Sequence, residues 1–267
     1  MATLSVTNPT LADLAKATDP NGAIADVVEI LNETNEVLDD MTWVEGNLPT
    51  GHRTTMRAGI PAPTWRKLYG GVQPNKGETT QVTDNCGMLE AYAEIDKALA
   101  DLNGNTAAYR LLEDRAHIEG MNQELVDTLF YGDDSTSPEE FEGLSTRFNS
   151  TTASNGENII VGGGSGSDNA SIWLIVWGPN TCHGIVPKGS KAGLQVTDKG
   201  QVTVEDASDG SNTGRMEAYR THYRWDAGLT VRDWRYIVRV PNIDKSALTK
   251  DAASGADIPD LMFQAMT

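Results

Sequence analysis

Residues 46–77 carry five basic side chains (Arg53, Arg57, Arg66, Lys67 and Lys76) and no acid, in a chain whose net charge is −17. Directly before them, residues 13–45 hold nine acids (Asp13, Asp19, Asp26, Glu29, Glu33, Glu36, Asp39, Asp40 and Glu45) against one base, Lys16. Charge sorted this sharply by position constrains where the basic stretch can rest. The stretch is rich in Gly, Pro and Thr and poor in large aliphatic residues, so it cannot bury enough apolar surface to form a core of its own. His52, Thr54 and Met56 alternate with Arg53, Thr55 and Arg57, which predicts an extended strand. Gly59-Ile60-Pro61-Ala62-Pro63 predicts a bend, and Trp65, Leu68 and Tyr69 a returning strand. An isolated two-stranded arm is marginal in water unless it docks on something. Two readings follow. The arm folds against its own acidic neighbour, or it projects and lies on the acidic surface of another copy; its composition favours the second.

The remaining composition describes an ordered protein, with 39% hydrophobic and 22% charged residues over 267 positions, enough for one large domain or two modest ones. Its 26 glycines, with many Asn, Asp, Ser and Thr, indicate numerous turns and a strand-rich chain with long loops. The negative charge disfavours tight binding to nucleic acid or to anionic membranes. The N-terminus lacks the basic and apolar regions of a secretory signal. The longest apolar run, Ile172 to Trp177, falls far short of the ~20 residues of a membrane helix. A cytoplasm-like compartment is the expectation. Cys86 and Cys182 are too far apart in sequence for a Cys-based zinc motif and read as two packed thiols.

Residues 23–38 place Ile24, Val27, Val28, Ile30, Leu31, Val37 and Leu38 mostly at helical spacing, an amphipathic helix after the Asp19-Pro20-Asn21-Gly22 turn. Residues 88–102 are expected to be a second helix. A third, capped by Asn105 or Thr106 and ended by Gly132, carries Leu111, Leu112, Ile118, Met121, Leu125 and Leu129. At 1.5 Å per residue it makes a rod of ~39 Å, with Glu113, Asp114, Arg115, Glu119, Glu124 and Asp127 expected on its exposed faces. Residues 133–170 read as loops with short strands. Strands are expected at Ser171–Trp177, Gly184–Pro187, Leu194–Glu205, Arg215–Asp226 and Leu229–Val240, the last two joined by a tight turn at Ala227-Gly228. Tyr219, Tyr223 and Trp225 share one face by period two. Asp257–Thr267 begins a final helix.

Tests for chemistry return little. Gly162-Gly163-Gly164-Ser165-Gly166-Ser167 lacks the Lys-Ser/Thr ending and the following helix of a phosphate loop. Ser167-Asp168-Asn169 stands without the S-x-x-K and K-T-G boxes of penicillin-recognising enzymes. His52, His117, His183 and His222 are scattered. Asp114 and His117 have the i, i+3 spacing of some carboxylate metal sites, but no second pair accompanies them. No catalytic residue, metal ligand or cofactor site is assigned.

Taken in order, these segments resemble a family of tailed-bacteriophage major capsid proteins. The resemblance rests on Thr42-Trp43, Gly51-His52-Arg53, the Pro-Ala-Pro-Thr-Trp-Arg-Lys-Leu bend, Gly87-Met88-Leu89-Glu90 and Leu102-Asn103-Gly104-Asn105-Thr106-Ala107-Ala108. It continues through Glu113-Asp114-Arg115-Ala116-His117, Met121-Asn122-Gln123-Glu124, Ser171–Gly178, His183-Gly184-Ile185, Tyr219–Tyr223 and Val231–Tyr236. The fold it implies is α+β, of the Hong Kong-97 type, with an N-terminal arm, an extended β-hairpin (the E-loop), a long spine helix and a twisted antiparallel sheet. On this pattern 1–45 is the arm and 46–86 the E-loop. Residues 87–140 and 190–242 form the peripheral domain, and 141–189 with 243–267 an axial domain that is short or incomplete, since relatives continue some tens of residues further.

The implied function is self-assembly into hexamers and pentamers of an icosahedral shell around double-stranded DNA, in the cytoplasm of a bacterial host, with portal, scaffolding or cement proteins as further partners and no membrane. The interface expected on the E-loop is Arg53, Arg57, Trp65, Arg66, Lys67, Leu68 and Tyr69, set against acids of a neighbour at Glu33, Glu36, Asp39, Asp40, Glu113 and Glu119. Some capsids of this fold crosslink through an E-loop lysine. Lys67 and Lys76 lie in that region, but no catalytic acid can be assigned, and no crosslinking is expected. Two rivals remain: a tail-tube or decoration protein, favoured by a sheet barrel without the long helix, and a cytoplasmic β-rich hydrolase, which needs a deep pocket where a His meets a carboxylate.

Overall fold

Leu89, Ala91, Ala93 and Ile95 alternate with Met88, Glu90, Tyr92 and Glu94, and that period of two decides the conformation of the chain's longest strand. In the computed structural model, which describes residues 8–18, 35–102, 104–164, 167–205, 214–246, 248 and 256–266, this segment is part of β3. The elements run α1 (Leu11–Lys16), α2 (Val37–Asp40), β1 (Trp43–Glu45), β2 (Gly51–Gly59), β3 (Glu78–Asp96), α3 (Lys97–Ala100) and α4 (Thr106–Tyr131). There follow α5 (Leu144–Arg147), β4 (Asn169–Ile175), β5 (Cys182–Val186), β6 (Gln195–Glu205), β7 (Arg215–Val231), β8 (Ile237–Asp244) and α6 (Ile258–Met266). Six strands form a sheet of order β1-β5-β7-β3-β2, with β6 also paired to β7; β4 and β8 form a separate antiparallel pair. β1 runs parallel to β5, whereas β5 and β6 are antiparallel to β7.

The chain divides into two compact units. The first comprises Met1–Asp39, Met88–Asp127 and Gly193–Asp226. Its sheet buries Ala93 and Tyr223 with Met121 of α4, flanked by Leu89, Ala91, Leu194 and Trp225. A second cluster joins Leu14 of α1 to Ile95, Leu99, Ala100 and Tyr109. Tyr109 and Tyr223 are fully buried.

The second unit comprises Asp40–Gly87, Thr128–Ala192 and Ala227–Thr267. Its core includes Phe141, Leu144, Phe148, Ile185, Leu229, Ile237, Val240 and Ile243. Trp173 lies between Phe130 and Phe148, with ring centroids 6.1 and 6.0 Å away, under the Arg239 guanidinium at 5.1 Å. Arg239 donates Nη1 to the Phe148 carbonyl at 2.7 Å, so its charge enters this apolar setting with a partner.

Several expectations from the sequence are corrected. Residues 88–96 are strand, not helix; the helix-favouring Leu, Glu and Ala are overridden by a position between sheet neighbours, and α3 keeps four residues of the expected helix. Ala227-Gly228 makes no turn, because β7 runs through both. The glycine is there for packing: a Cβ on Gly228 would lie 2.7 Å from the Asn85 carbonyl oxygen and 3.0 Å from Ile185 Cγ1. Between 133 and 168 the described residues contain α5 and a 3-10 turn at Gly156–Asn158 but no strand. Gly162 and Gly164 donate their amides to the Pro241 and Asn242 carbonyls along β8, and β4 follows. The expected helix over 23–38 lies mostly outside the described residues; its end coincides with the start of α2. The 26-residue α4 and the C-terminal α6 stand where expected. Cys182 is buried, Cys86 half-buried, and no disulfide joins them.

Candidate subunit-docking site

The basic stretch builds one limb of a hairpin. β2 pairs antiparallel with β3, Gly51 opposite Asn85 and Gly59 opposite Glu78, with an irregularity between Arg57 and Gly59. The returning limb is therefore residues 78–85, not the Trp65–Tyr69 stretch, which has no strand partner and sits in the hairpin's tip. Along β2, Arg53, Thr55 and Arg57 are exposed while Thr54 is buried, as alternation demands. The Asn47 side chain imitates a neighbouring strand, donating Nδ2 to the Arg53 carbonyl and accepting from the Arg53 amide, both at 2.8 Å. Arg53 Nε donates to Thr83 Oγ1 at 3.1 Å, tying the two limbs together.

The tip, residues 60–77, has no regular structure. The Gly70 amide donates to the Lys67 carbonyl at 3.0 Å, closing a turn that holds Tyr69 at φ 62°, a left-handed conformation uncommon for a bulky residue. Trp65 and Tyr69 are 104% exposed and Leu68 84%, and Ile60 and Val72 are exposed beside them. Arg66 and Lys67 are exposed in the same stretch. So many large apolar groups in water, beside charge, make the kind of surface that a partner can cover.

At the hairpin's root the chemistry is reversed, with polar groups buried. Asp84 is 3% exposed and meets Arg147 Nη1 at 2.8 Å. Arg147 Nη2 also reaches the Glu142 and Leu229 carbonyls, both at 3.3 Å. Asp84 stands opposite His52, whose ring makes an edge-on contact with His183 at 5.9 Å between centroids. Burial holds both imidazoles below their ordinary pKa, and Arg232 acts in the same sense. Burial also pushes the Cys182 thiol up to about 12.

The structure brings Arg53, Arg57, Trp65, Arg66, Lys67, Leu68 and Tyr69 together on one hairpin, all exposed. The acids expected to receive them differ in exposure where they are described. Glu33 lies outside the described residues, and Glu36, Asp39 and Asp40 are exposed at α2. Glu113 is half-buried, with its carboxyl raised above the ordinary range by burial. Glu119 is half-buried and accepts from Gln123 Nε2 at 2.8 Å. Asp114 is half-buried too, so the solvent-facing charges on this helix are Arg115, Glu124 and Asp127. Helical spacing alone did not show how much of α4 would be covered.

Sequence reasoning also missed the buried root and a polar ladder on the outer sheet face. There His222 Nε2 meets Glu90 Oε2 at 3.1 Å, Tyr92 stacks on His222 at 4.5 Å, and Arg220 pairs with Glu94. The alternation of 88–94 was the signal for the ladder. Nothing local signals the root, whose members come from four separate segments. Among the described residues no cluster of three or more His, Cys, Asp or Glu could hold a metal ion, and no helix is long and apolar enough to cross a membrane.

An antiparallel hairpin, a 26-residue helix and a largely antiparallel six-stranded sheet define the class: this is the Hong Kong-97 fold of phage capsid proteins. The chain belongs to the family of the major capsid protein GP7, whose sequence profile matches residues 19–267. It is thus a tailed-phage major capsid protein, a structural component of the virion shell. A chain in the cryo-EM structure of bacteriophage epsilon15 is similar over 100% of this chain and 79% of its own, with 38% identity and a TM-score of 0.83. The SrpI encapsulin of Synechococcus elongatus PCC 7942 shares the fold at 10% identity, with a TM-score of 0.52 over 92% of this chain and 99% of its own. No curated protein sequence matches the chain.

Proposed function

We propose that copies of this chain form the hexamers and pentamers of an icosahedral shell enclosing double-stranded DNA, each held to its neighbour by the 46–86 hairpin. Residues 1–45 act as an N-terminal arm. Residues 87–140 and 190–242 form the peripheral domain, and 141–189 with 243–267 the axial part. The observation that carries the reading is the tip: Trp65, Leu68 and Tyr69 find no cover among the described residues. Burying three such side chains on a partner contributes about 1.5–3 kcal/mol each, before the cost of ordering them.

Arg53, Arg57, Arg66 and Lys67 select the landing surface by charge, with Glu33, Glu36, Asp39, Asp40, Glu113 and Glu119 of the neighbour as its acids. Exposed ion pairs contribute only ~0–1 kcal/mol each, so they steer register and the apolar tip supplies affinity. The net charge of −17 lets packaged DNA lie against the wall without adhering. Assembly takes place in the bacterial cytoplasm, with a portal and scaffolding or cement proteins as partners. The test is the variant Arg53→Glu, Arg57→Glu, Arg66→Glu, Lys67→Glu. It keeps the fold of the subunit by circular dichroism and forms no shells by negative-stain microscopy; shells of normal size and yield from it would refute the hairpin's role.

A further inference from the structure

The hairpin's root contains a pair of histidines whose placement does more than fill space. His52 lies on β2 opposite Asp84 of β3, and His183 lies on β5 opposite Thr230 of β7. The imidazoles meet edge to face at 5.9 Å and 81°, and His183 is 1% exposed. Among the described residues neither ring nitrogen of His183, nor Nδ1 of His52, has a hydrogen-bond partner of normal geometry. The charged groups around the pair are unevenly distributed. Asp84 on β3 is the acid, and its Oδ1 is already taken by Arg147 of α5, which also engages Glu142. Arg232, just after β7, adds a second cation, and the Gly178 carbonyl is the polar group from the loop before β5. A proton on either ring therefore meets a neighbouring imidazole and the Arg232 guanidinium, against one carboxylate that Arg147 already engages.

We infer that the His52–His183 contact is an acid-released latch: neutral rings hold the hairpin's root against β5, and protonation separates them and frees the hairpin to change its direction. The sign follows from proton uptake. Both rings sit below the ordinary imidazole value of 6.5 in the closed state. Once the root opens they return to about 6.5, so opening binds protons as pH falls through that region and the closed state loses stability on the acid side. Above it the rings are neutral in both states and the latch is closed. Its consequence for the shell rests on the hairpin-docking reading above: acid would loosen the limb that grips the neighbour without breaking the sheet of the first unit.

The experiment is hydrogen–deuterium exchange with mass spectrometry on dissociated subunits at pH 7.5 and 5.0, each rate corrected for the intrinsic pH dependence of exchange. Peptides covering 51–57 and 78–85 report the root, and α4 serves as the internal control. The expected result is corrected exchange on the order of tenfold faster at the root in acid, with α4 unchanged. His52→Gln, and independently His183→Gln, remove that acid response while the wild type keeps it; two variants guard against one failing to fold. A root as protected at pH 5.0 as at 7.5, an acid response equal in root and α4, or a response that survives in both variants overturns the latch. Because subunits are measured apart, the outcome does not depend on what the hairpin docks on, which the charge-reversal variant decides separately.

Discussion

Replacing Arg147 with Met leaves the aliphatic stem in place and removes the guanidinium that Asp84 faces at 2.8 Å. The Asp84 side chain is 2% exposed, and its Oδ2 has no other partner among the described residues. Water cannot take the cation's place, so the carboxylate stays behind as an uncompensated buried charge. The Leu229 and Glu142 carbonyls each lose a donor as well. Breaking a buried pair in this one-sided way costs about 3–5 kcal/mol. At about 2–4 °C per kcal/mol for a chain of this size, the melting temperature falls by about 6–20 °C. Removing both partners, in Arg147→Met with Asp84→Leu, takes the stranded charge away. Replacement of a whole buried pair by packed apolar groups is often neutral or stabilising by about 1–4 kcal/mol, so the double variant recovers most of the loss. Urea denaturation of dissociated subunits, followed by tryptophan fluorescence at pH 7.5, measures both. A single variant within about 1 kcal/mol of the wild type, below the 3–5 expected for a stranded charge, would show that the Asp84–Arg147 pair does not organise the root.

Three further outcomes are expected. Gly228→Ala forces a methyl group to within 2.7 Å of the Asn85 carbonyl oxygen and lowers stability by about 1–3 kcal/mol, read as a fall in the thermal midpoint; an unchanged midpoint would mean that the strands separate there at no cost. Trp65→Ala, Leu68→Ala and Tyr69→Ala together leave the dissociated subunit's denaturation midpoint almost unchanged, since these side chains touch little of their own chain, yet prevent shell formation by electron microscopy. In native subunits at pH 8, iodoacetamide labels Cys86 well before Cys182. Burial keeps Cys182 out of reach and pushes its thiol up to about 12, leaving almost no thiolate; peptide mass spectrometry after timed labelling measures the order.

The elements that were legible in the sequence owe their form to local chemistry. α4 has Asn105 before it, Gly132 after it and helix formers through most of its length, so its 26 residues could be placed almost to the residue. The alternation of β2 was equally clear, and so was the excess of positive charge along the hairpin. Residues 88–96 mislead because Met-Leu-Glu-Ala suits a helix in isolation, and sheet neighbours more than a hundred residues away decide otherwise. Ala227-Gly228 misleads because glycine serves turns and close strand packing alike, and only the approach of Asn85 separates the two uses. That Arg53, Arg57, Trp65, Arg66, Lys67, Leu68 and Tyr69 share one exposed hairpin could be read in advance. The half-buried state of Glu113 and Glu119, and the His52–Asp84–Arg147–His183 root, arise from segments far apart in the chain and leave no pattern that a window of sequence can show.

Whether the tip of each hairpin rests on a different copy can be read directly with a photoreactive amino acid in place of Trp65, activated in assembled particles and mapped by mass spectrometry. Crosslinks joining position 65 to peptides of a second copy, with dimer-sized products on a denaturing gel, are expected. Crosslinks confined to the same chain, with no product above monomer size from intact shells, would contradict the account.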